Sequence, residues 1–278
     1  MEATLAQIKK FADEASPESR QPIILALNKL ITSLETPDNS VQRIGAFILQ
    51  TSAALIGVDL NIFKILSEAS DAVTLDELVA QTKAEKQLLV RLLRYLAAIG
   101  LVDQVSKEEY KANHGTRNFN APVTNGALRH YFYTCAPEYL ALPDHLKSTG
   151  YKNPQDDTHT AWHDAFKTDK GPFAWFADHP DNAAYFNELM AKRRTPDLSW
   201  LSVYPVQDEA KDWPADKPLY VNVGGSIGHQ CAQFRQKYPA ASLPGRVILQ
   251  DLPYAIAAAL PTPRDPSSSG RPSLTRSD

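Results

Sequence analysis

The chain has 278 residues, with 29 Lys and Arg against 32 Asp and Glu, a formal net charge of −3 at pH 7. An apolar share of 43% supports a real core and excludes wholesale disorder. The near-balanced charge argues against a protein whose task is gripping nucleic acid or an anionic membrane. Two cysteines far apart, Cys135 and Cys231, exclude a disulfide framework or a cysteine-rich zinc site.

The N-terminal stretch carries Lys9, Lys10, Asp13 and Glu14 where a signal peptide needs an apolar run. No uncharged stretch approaches the ~20 apolar residues of a membrane helix, so a cytoplasmic, soluble protein is expected. Residues 4–35 read as two helices separated by Pro17 and Pro22, the second ended by Thr36-Pro37-Asp38. Its stripe of Ile23, Ile24, Leu27, Leu30, Ile31 and Leu34 needs a partner surface. The core of the same chain is the first expectation, and a dimer interface is the alternative.

Residues 41–112 are the most legible unit. One long helix is predicted over 41–56, with Val41, Ile44, Phe47, Ile48 and Leu55, and more apolar positions follow from Leu60 to Leu66. Thr74-Leu75-Asp76-Glu77 has the pattern of a capping box opening a short helix through Ala80. After a turn near Lys83, Leu88, Leu89, Leu92, Leu93, Leu96 and Ile99 mark a helix that Gly100 stops. Leu101 to Tyr110 then reads as a small β-hairpin. Three helices and a β-wing make a winged helix, an architecture often used on DNA. Residues 41–118, however, hold nine bases and nine acids. Phosphate contacts depend on net positive charge, so the module suits protein contacts better than DNA.

Residues 122–202 read as helical and aromatic-rich, mostly core, although such a wall also suits a flat hydrophobic ligand. His159 and His163 are four apart, a spacing that puts two imidazoles on one helix face, but without acidic partners they read as surface histidines. Residues 203–218 read as a proline-punctuated linker, and 261–278, with four prolines and a serine run, as a disordered tail.

Between them, the apolar strand Leu219-Tyr220-Val221-Asn222-Val223 enters the cluster Gly224-Gly225-Ser226-Ile227-Gly228-His229, and a helical stretch follows. In this context glycines let the backbone approach a nucleotide closely. A second strand, Arg246 to Gln250, ends in Asp251, the place of an acidic residue that binds a ribose diol.

These pieces resemble the caffeate-type, cation-independent O-methyltransferases of plants and fungi, which use S-adenosyl-methionine. The likeness runs over most of residues 41–260. It is carried by Ile44 to Leu66, Leu75 to Leu78, Arg91 to Val102, Tyr110, Phe186 to Met190, Val221 to His229 and Leu249 to Pro253. It implies an α/β fold with a mainly helical N-terminal half. The expected divisions are N-terminal helices (1–40), a winged-helix dimerisation domain (41–118), a helical substrate-side region (119–202), the linker (203–218) and the start of a Rossmann-like S-adenosyl-methionine domain (219–260), then the tail (261–278). By resemblance Gly224, Gly225 and Gly228 line the methionine and ribose side of the cofactor, and Asp251 holds the ribose hydroxyls. The partners implied are a small aromatic substrate and a second copy of the chain through the N-terminal half, with no nucleic acid, membrane or metal.

Two positions depart from the family pattern. Asn222 stands where Asp is usual and loses a carboxylate that favours the cationic end of the cofactor. Ser226 stands where Gly is usual and adds a Cβ where backbone should approach the ligand. The family fold also continues through further strands after Val223, so a C-terminally truncated chain with weak cofactor binding is expected. The family's catalytic His falls in that further part. No catalytic residue is assigned, and His229 belongs to the glycine motif. The leading expectation is O-methylation of an aromatic or polyketide-like metabolite, impaired by the truncation. The alternatives are a non-methylating relative that binds a ligand or partner or runs cofactor-independent pericyclic or dehydration chemistry, and, third, a DNA-binding regulator.

Overall fold

A computed structural model describes residues 2–192, 200–251, 253–257 and 259; the tail 261–278 lies outside the described residues. The chain separates into two compact units, Met1–Pro143 and Asp144–Asp278.

In the first unit, α1 (Glu2–Asp13) and α2 (Pro17–Leu34) are separated at residues 14–16, and Pro22 stands inside α2 instead of between the helices. The start of α2 is fixed by Ser16, whose hydroxyl accepts the Ser19 N–H at 3.3 Å, and a proline one turn later removes only a single backbone donor. The expected long helix is two helices, α3 (Pro37–Gly45) and α4 (Phe47–Asp59), bent by 43°. Thr36 opens α3 in a capping box with Asn39, and the poor helix former Gly45 closes it. The residues that end α2 thus also begin the next helix.

Next come α5 (Ile62–Glu68), β1 (Val73–Thr74), α6 (Leu75–Thr82), α7 (Lys86–Ala98), β2 (Asp103–Ser106) and β3 (Glu109–Lys111). The Thr74 hydroxyl accepts the Glu77 N–H, and the Glu77 carboxylate accepts the Thr74 N–H at 2.8 Å, so the capping box is real. Lys83 ends α6 in the left-handed region and Gly100 follows α7 with φ +77°. The hairpin pairs Asp103 with Lys111, and β1 adds a third antiparallel strand, Val73 opposite Tyr110. Phe63, Leu66, Leu78, Leu89, Leu93 and Tyr110, all 2% exposed or less, form the core of this unit. The unit closes with α8 (His114–Phe119), α9 (Pro122–His130), a π-helical turn (Tyr131–Cys135) and the start of α10 (Ala136–Ser148).

The apolar stripe of the N-terminal helices is not core within the chain. Leu34 is 75% exposed, Ile44 67% and Phe47 66%, and Ile24, Leu30 and Ile31 are about half exposed. Among the described residues no single helix is long and apolar enough to cross a membrane.

The second unit contains α11 (Ala161–Phe166), α12 (Pro172–Phe176), α13 (Pro180–Lys192), a 3-10 turn (Trp200–Ser202) and α14 (Val206–Glu209). Then come β4 (Pro218–Val223), α15 (His229–Lys237), β5 (Arg246–Gln250) and α16 (Pro253–Ala257). His159 precedes α11, so it shares no helix face with His163. The segment 203–218 carries α14, whose Val206 packs with Ala210, Phe234, Tyr238 and Leu243 in a buried cluster.

Truncating a fully buried side chain leaves a cavity that its neighbours close only in part, at a cost of about 2–5 kcal/mol. Leu93, with 0% exposure, should show this: Leu93→Ala is expected to lower the urea midpoint of the first unit by a corresponding amount.

Candidate functional site

The site grows from one crossover. β4 and β5 are parallel neighbours, with Asn222 opposite Leu249 and Val223 opposite Gln250. A parallel pair needs a connection that returns to the same end, and α15 supplies it. Phe234 of α15 stacks on Tyr220 of β4 at 4.9 Å between ring centroids. The Arg235 guanidinium donates to the Leu243 carbonyl at 3.0 Å and to that of Gly245, tying down the loop that enters β5. Cys231 is buried behind the strands, and burial pushes its thiol pKa up. It is a packing residue.

At the carboxyl ends of the strands the chain turns tightly. The Gly224 N–H donates to the Gln250 carbonyl at 2.8 Å, which anchors the turn to β5. Gly225 lies directly on the strand below: a Cβ there would sit 2.5 Å from both Asn222 Nδ2 and Leu249 Cδ1. Gly228 starts α15 from the left-handed region, φ +89°. Ser226 also has positive φ, +54°, a conformation that costs a non-glycine residue about 1–2 kcal/mol. Its N–H donates to Asp251 Oδ2 at 2.6 Å, and a hydrogen bond to a charged group contributes about 1.5–3 kcal/mol. The hydrogen bond to the carboxylate is of the size that offsets the strain and holds the loop.

The turn faces a cavity of about 720 Å³, within the size range of small-molecule pockets. Gly224, Gly225 and Asp251 line it, with Asn222 and Ser226. Gly228 stands at the helix start and is not among the lining residues. Across the cavity lie Phe173, Phe176 and Phe186, with ring centroids 5.6–6.3 Å apart. Phe176 also joins Trp162 and Trp175 in a buried aromatic cluster, so the wall is backed by packed rings. Asn222 is 9% exposed, with its side-chain amide against the Cys231 thiol.

Four predicted residues thus share one turn, three of them on one cavity. The sequence reading did not find that Asp251 clamps Ser226, nor which aromatics face the glycines. Phe173 and Phe176 were visible as wall material only.

The geometry has known counterparts. Residues 46–123 match the family model described as the O-methyltransferase dimerisation domain. The O-methyltransferase lepI of Aspergillus flavus is 37% identical over 257 residues, which are 92% of this chain and 65% of that protein. The demethylsterigmatocystin 6-O-methyltransferase of Aspergillus parasiticus is 33% identical over 262 residues, 94% of this chain and 67% of that one. A solved structure described as "A Pericyclic Reaction enzyme" superposes with a TM-score of 0.84 at 37% identity, over 93% of this chain and 67% of that one. LepI in complex with SAM gives the same values. The chain belongs to the O-methyltransferase family, and it spans about two thirds of the length of these relatives.

Because the Gly225 backbone touches Asn222 and Leu249, adding one methyl there overpacks the turn, at a cost of about 1–3 kcal/mol. Gly225→Ala is expected to lower the melting temperature of the second unit and to distort the turn. A near-ultraviolet circular dichroism spectrum and a melt would show both effects.

Proposed function

We propose that this protein transfers a methyl group from S-adenosyl-methionine to a hydroxyl of an aromatic or polyketide-like small molecule. The observation that carries this reading is one cavity in which a backbone cradle faces an aromatic wall. The residues fit the cofactor. The turn has no room for a side chain at Gly225, the buried Asn222 amide lies beneath it, and a carboxylate closes the second strand. By resemblance, Gly224, Gly225 and Gly228 would lie along the methionine and ribose side, and Asp251 would hold the ribose hydroxyls. When bound, the sulfonium supplies an electrophilic methyl group. This chain's residues would hold the donor, keep water from it and stack the acceptor ring on Phe173, Phe176 and Phe186. No side chain is assigned the task of taking the hydroxyl proton. Asn222 and Ser226 point to weaker donor binding than an acidic, all-glycine loop would give.

The finer architecture follows the same reading. The helices and hairpin of 41–118 are taken as a winged-helix dimerisation domain, 119–202 as the substrate side, and β4–α15–β5 as the start of a Rossmann-like domain. A homodimer through the N-terminal helices is supported by their exposed stripe and by the matched dimerisation family. A cytoplasmic setting, with no nucleic acid or membrane partner, agrees with the balanced charge.

A second reading keeps the donor or a similar ligand bound and transfers nothing, running a pericyclic or dehydration step instead. It is favoured by the two departures in the loop and by the 37%-identical structure described as a pericyclic enzyme. Tritiated methyl transferred to a phenol or polyketide acceptor would decide for methylation. Rearranged acceptor without label would decide for the second reading.

Titration calorimetry is expected to detect S-adenosyl-methionine. Asp251→Asn, which weakens the acceptor of the Ser226 N–H, should lower that affinity by about tenfold, the scale of one charged hydrogen bond. Unchanged affinity would remove Asp251 from the site. Light scattering is expected to give twice the 30.8 kDa chain mass. A chain carrying Ile44→Lys and Phe47→Lys should shift toward the single mass.

A further inference from the structure

The aromatic side of the cavity carries a single polar side chain. Along α13, Ala183, Phe186, Asn187 and Met190 all line the cavity, and their steps of three and four residues put them on one helix face. The lining residues that come from α12 and its cap, Phe173, Phe176 and Ala177, are apolar as well. Among the described lining residues Asn187 is therefore the one hydrogen-bonding group on these two helices, and the other polar groups belong to the strand ends, the turn and α15. An exposed asparagine on a solvent face needs no explanation. This one shares its face with three apolar side chains, and asparagine is a poor helix former inside a helix. Its neighbour Glu188 is paired with Lys192 at 2.7 Å, whereas the Asn187 amide makes no hydrogen bond among the described residues. A flat ring stacked on the phenylalanines would strip water from that amide. If the ring offers only carbon there, the amide loses its water and gains nothing, and a polar site rejects such a ligand for that reason. A carbonyl lies in the plane of its ring with its lone pairs at the edge, so it can meet Asn187 without unstacking.

We propose that Asn187 is a specificity-determining residue. It donates an amide N–H to a carbonyl oxygen on the edge of the acceptor ring, so the site prefers hydroxylated rings that also carry a ring carbonyl over plain phenols. The inference rests on the reading of the phenylalanine wall as the acceptor side, and it narrows the acceptor class.

The test is calorimetric titration of the full chain with two compounds, at a pH where both hydroxyls keep their protons. Umbelliferone is a flat bicycle with a hydroxyl and a ring carbonyl, and β-naphthol is a bicycle with the hydroxyl alone. The readout is the ratio of the two dissociation constants, which needs no turnover. Asn187→Leu removes the hydrogen-bonding group at similar volume and should shift that ratio toward naphthol by about fivefold, the scale of one neutral hydrogen bond. Asn187→Asp keeps the shape, loses the N–H donor and should shift the ratio in the same direction. Residue 187 is exposed, so both variants are expected to fold. An unaltered ratio in Asn187→Leu overturns the proposal, as does a variant that weakens S-adenosyl-methionine and both ring compounds alike, which would place the amide on the donor. If neither ring compound binds the natural chain, the acceptor-wall reading has failed and takes the proposal with it. Binding with an unaltered ratio overturns the proposal alone.

Discussion

The second unit depends on the parallel pairing of β4 with β5. The register that puts Val223 opposite Gln250 also puts the end of one strand beside the end of the other. Only then can the Gln250 carbonyl take the Gly224 N–H, and Asp251, the next residue, reach the Ser226 N–H. A slip of one residue would turn every side chain to the opposite face. Asp251 would then point away from the turn, and Ser226 would be left strained with nothing to offset it. Cradle and clamp are thus one object made by one register, and the aromatic contacts of Phe234 and Tyr220 fix the crossover helix against it.

This also explains the uneven chemistry around the cavity. The glycine side is backbone, dipoles and one engaged carboxylate, whereas the opposite side is three phenyl rings backed by two tryptophans. Backbone groups suit the polar parts of a nucleoside, and stacked rings suit a flat apolar acceptor. A polar ligand and an apolar one would meet between walls that each matches one of them, which is the arrangement that group transfer between unlike molecules needs.

Sequence legibility follows the range of the interaction. The Thr74–Glu77 capping box, the Gly100 stop and the strand–glycine–helix turn are encoded within a few residues, and each was readable without tertiary information. The bend between α3 and α4 was not, because apolar spacing runs unbroken from Val41 to Leu55 while a single Gly45 divides it. Pro22 misled in the opposite direction. It reads as a breaker, but the cap at Ser16 had already set the helix start. Strand β1 is two residues long and exists only by its pairing with β3. Asp251 was found by its distance from the glycines, yet its hold on Ser226 depends on the β4–β5 register. Likewise, no local pattern tells that Phe173 and Phe186 face a loop about forty to fifty residues later.

The first unit carries the opposite imbalance. Its own core is complete: Phe63, Leu89, Leu93 and Tyr110 are sealed between the helices and the three-stranded sheet. The exposed side chains of α2 to α4 therefore contribute nothing to that core, and their exposure is not a packing failure inside it. Leu34, Ile44 and Phe47 lie on three successive helices, each 66% exposed or more. Burying a large apolar side chain contributes about 1.5–3 kcal/mol, so a handful of them on a rigid scaffold suffices to drive association. Such a surface on a monomer would be an aggregation liability. The same residues would be an asset if a second copy covered them, because a stripe repeated on an identical chain can supply its own complement around a two-fold axis.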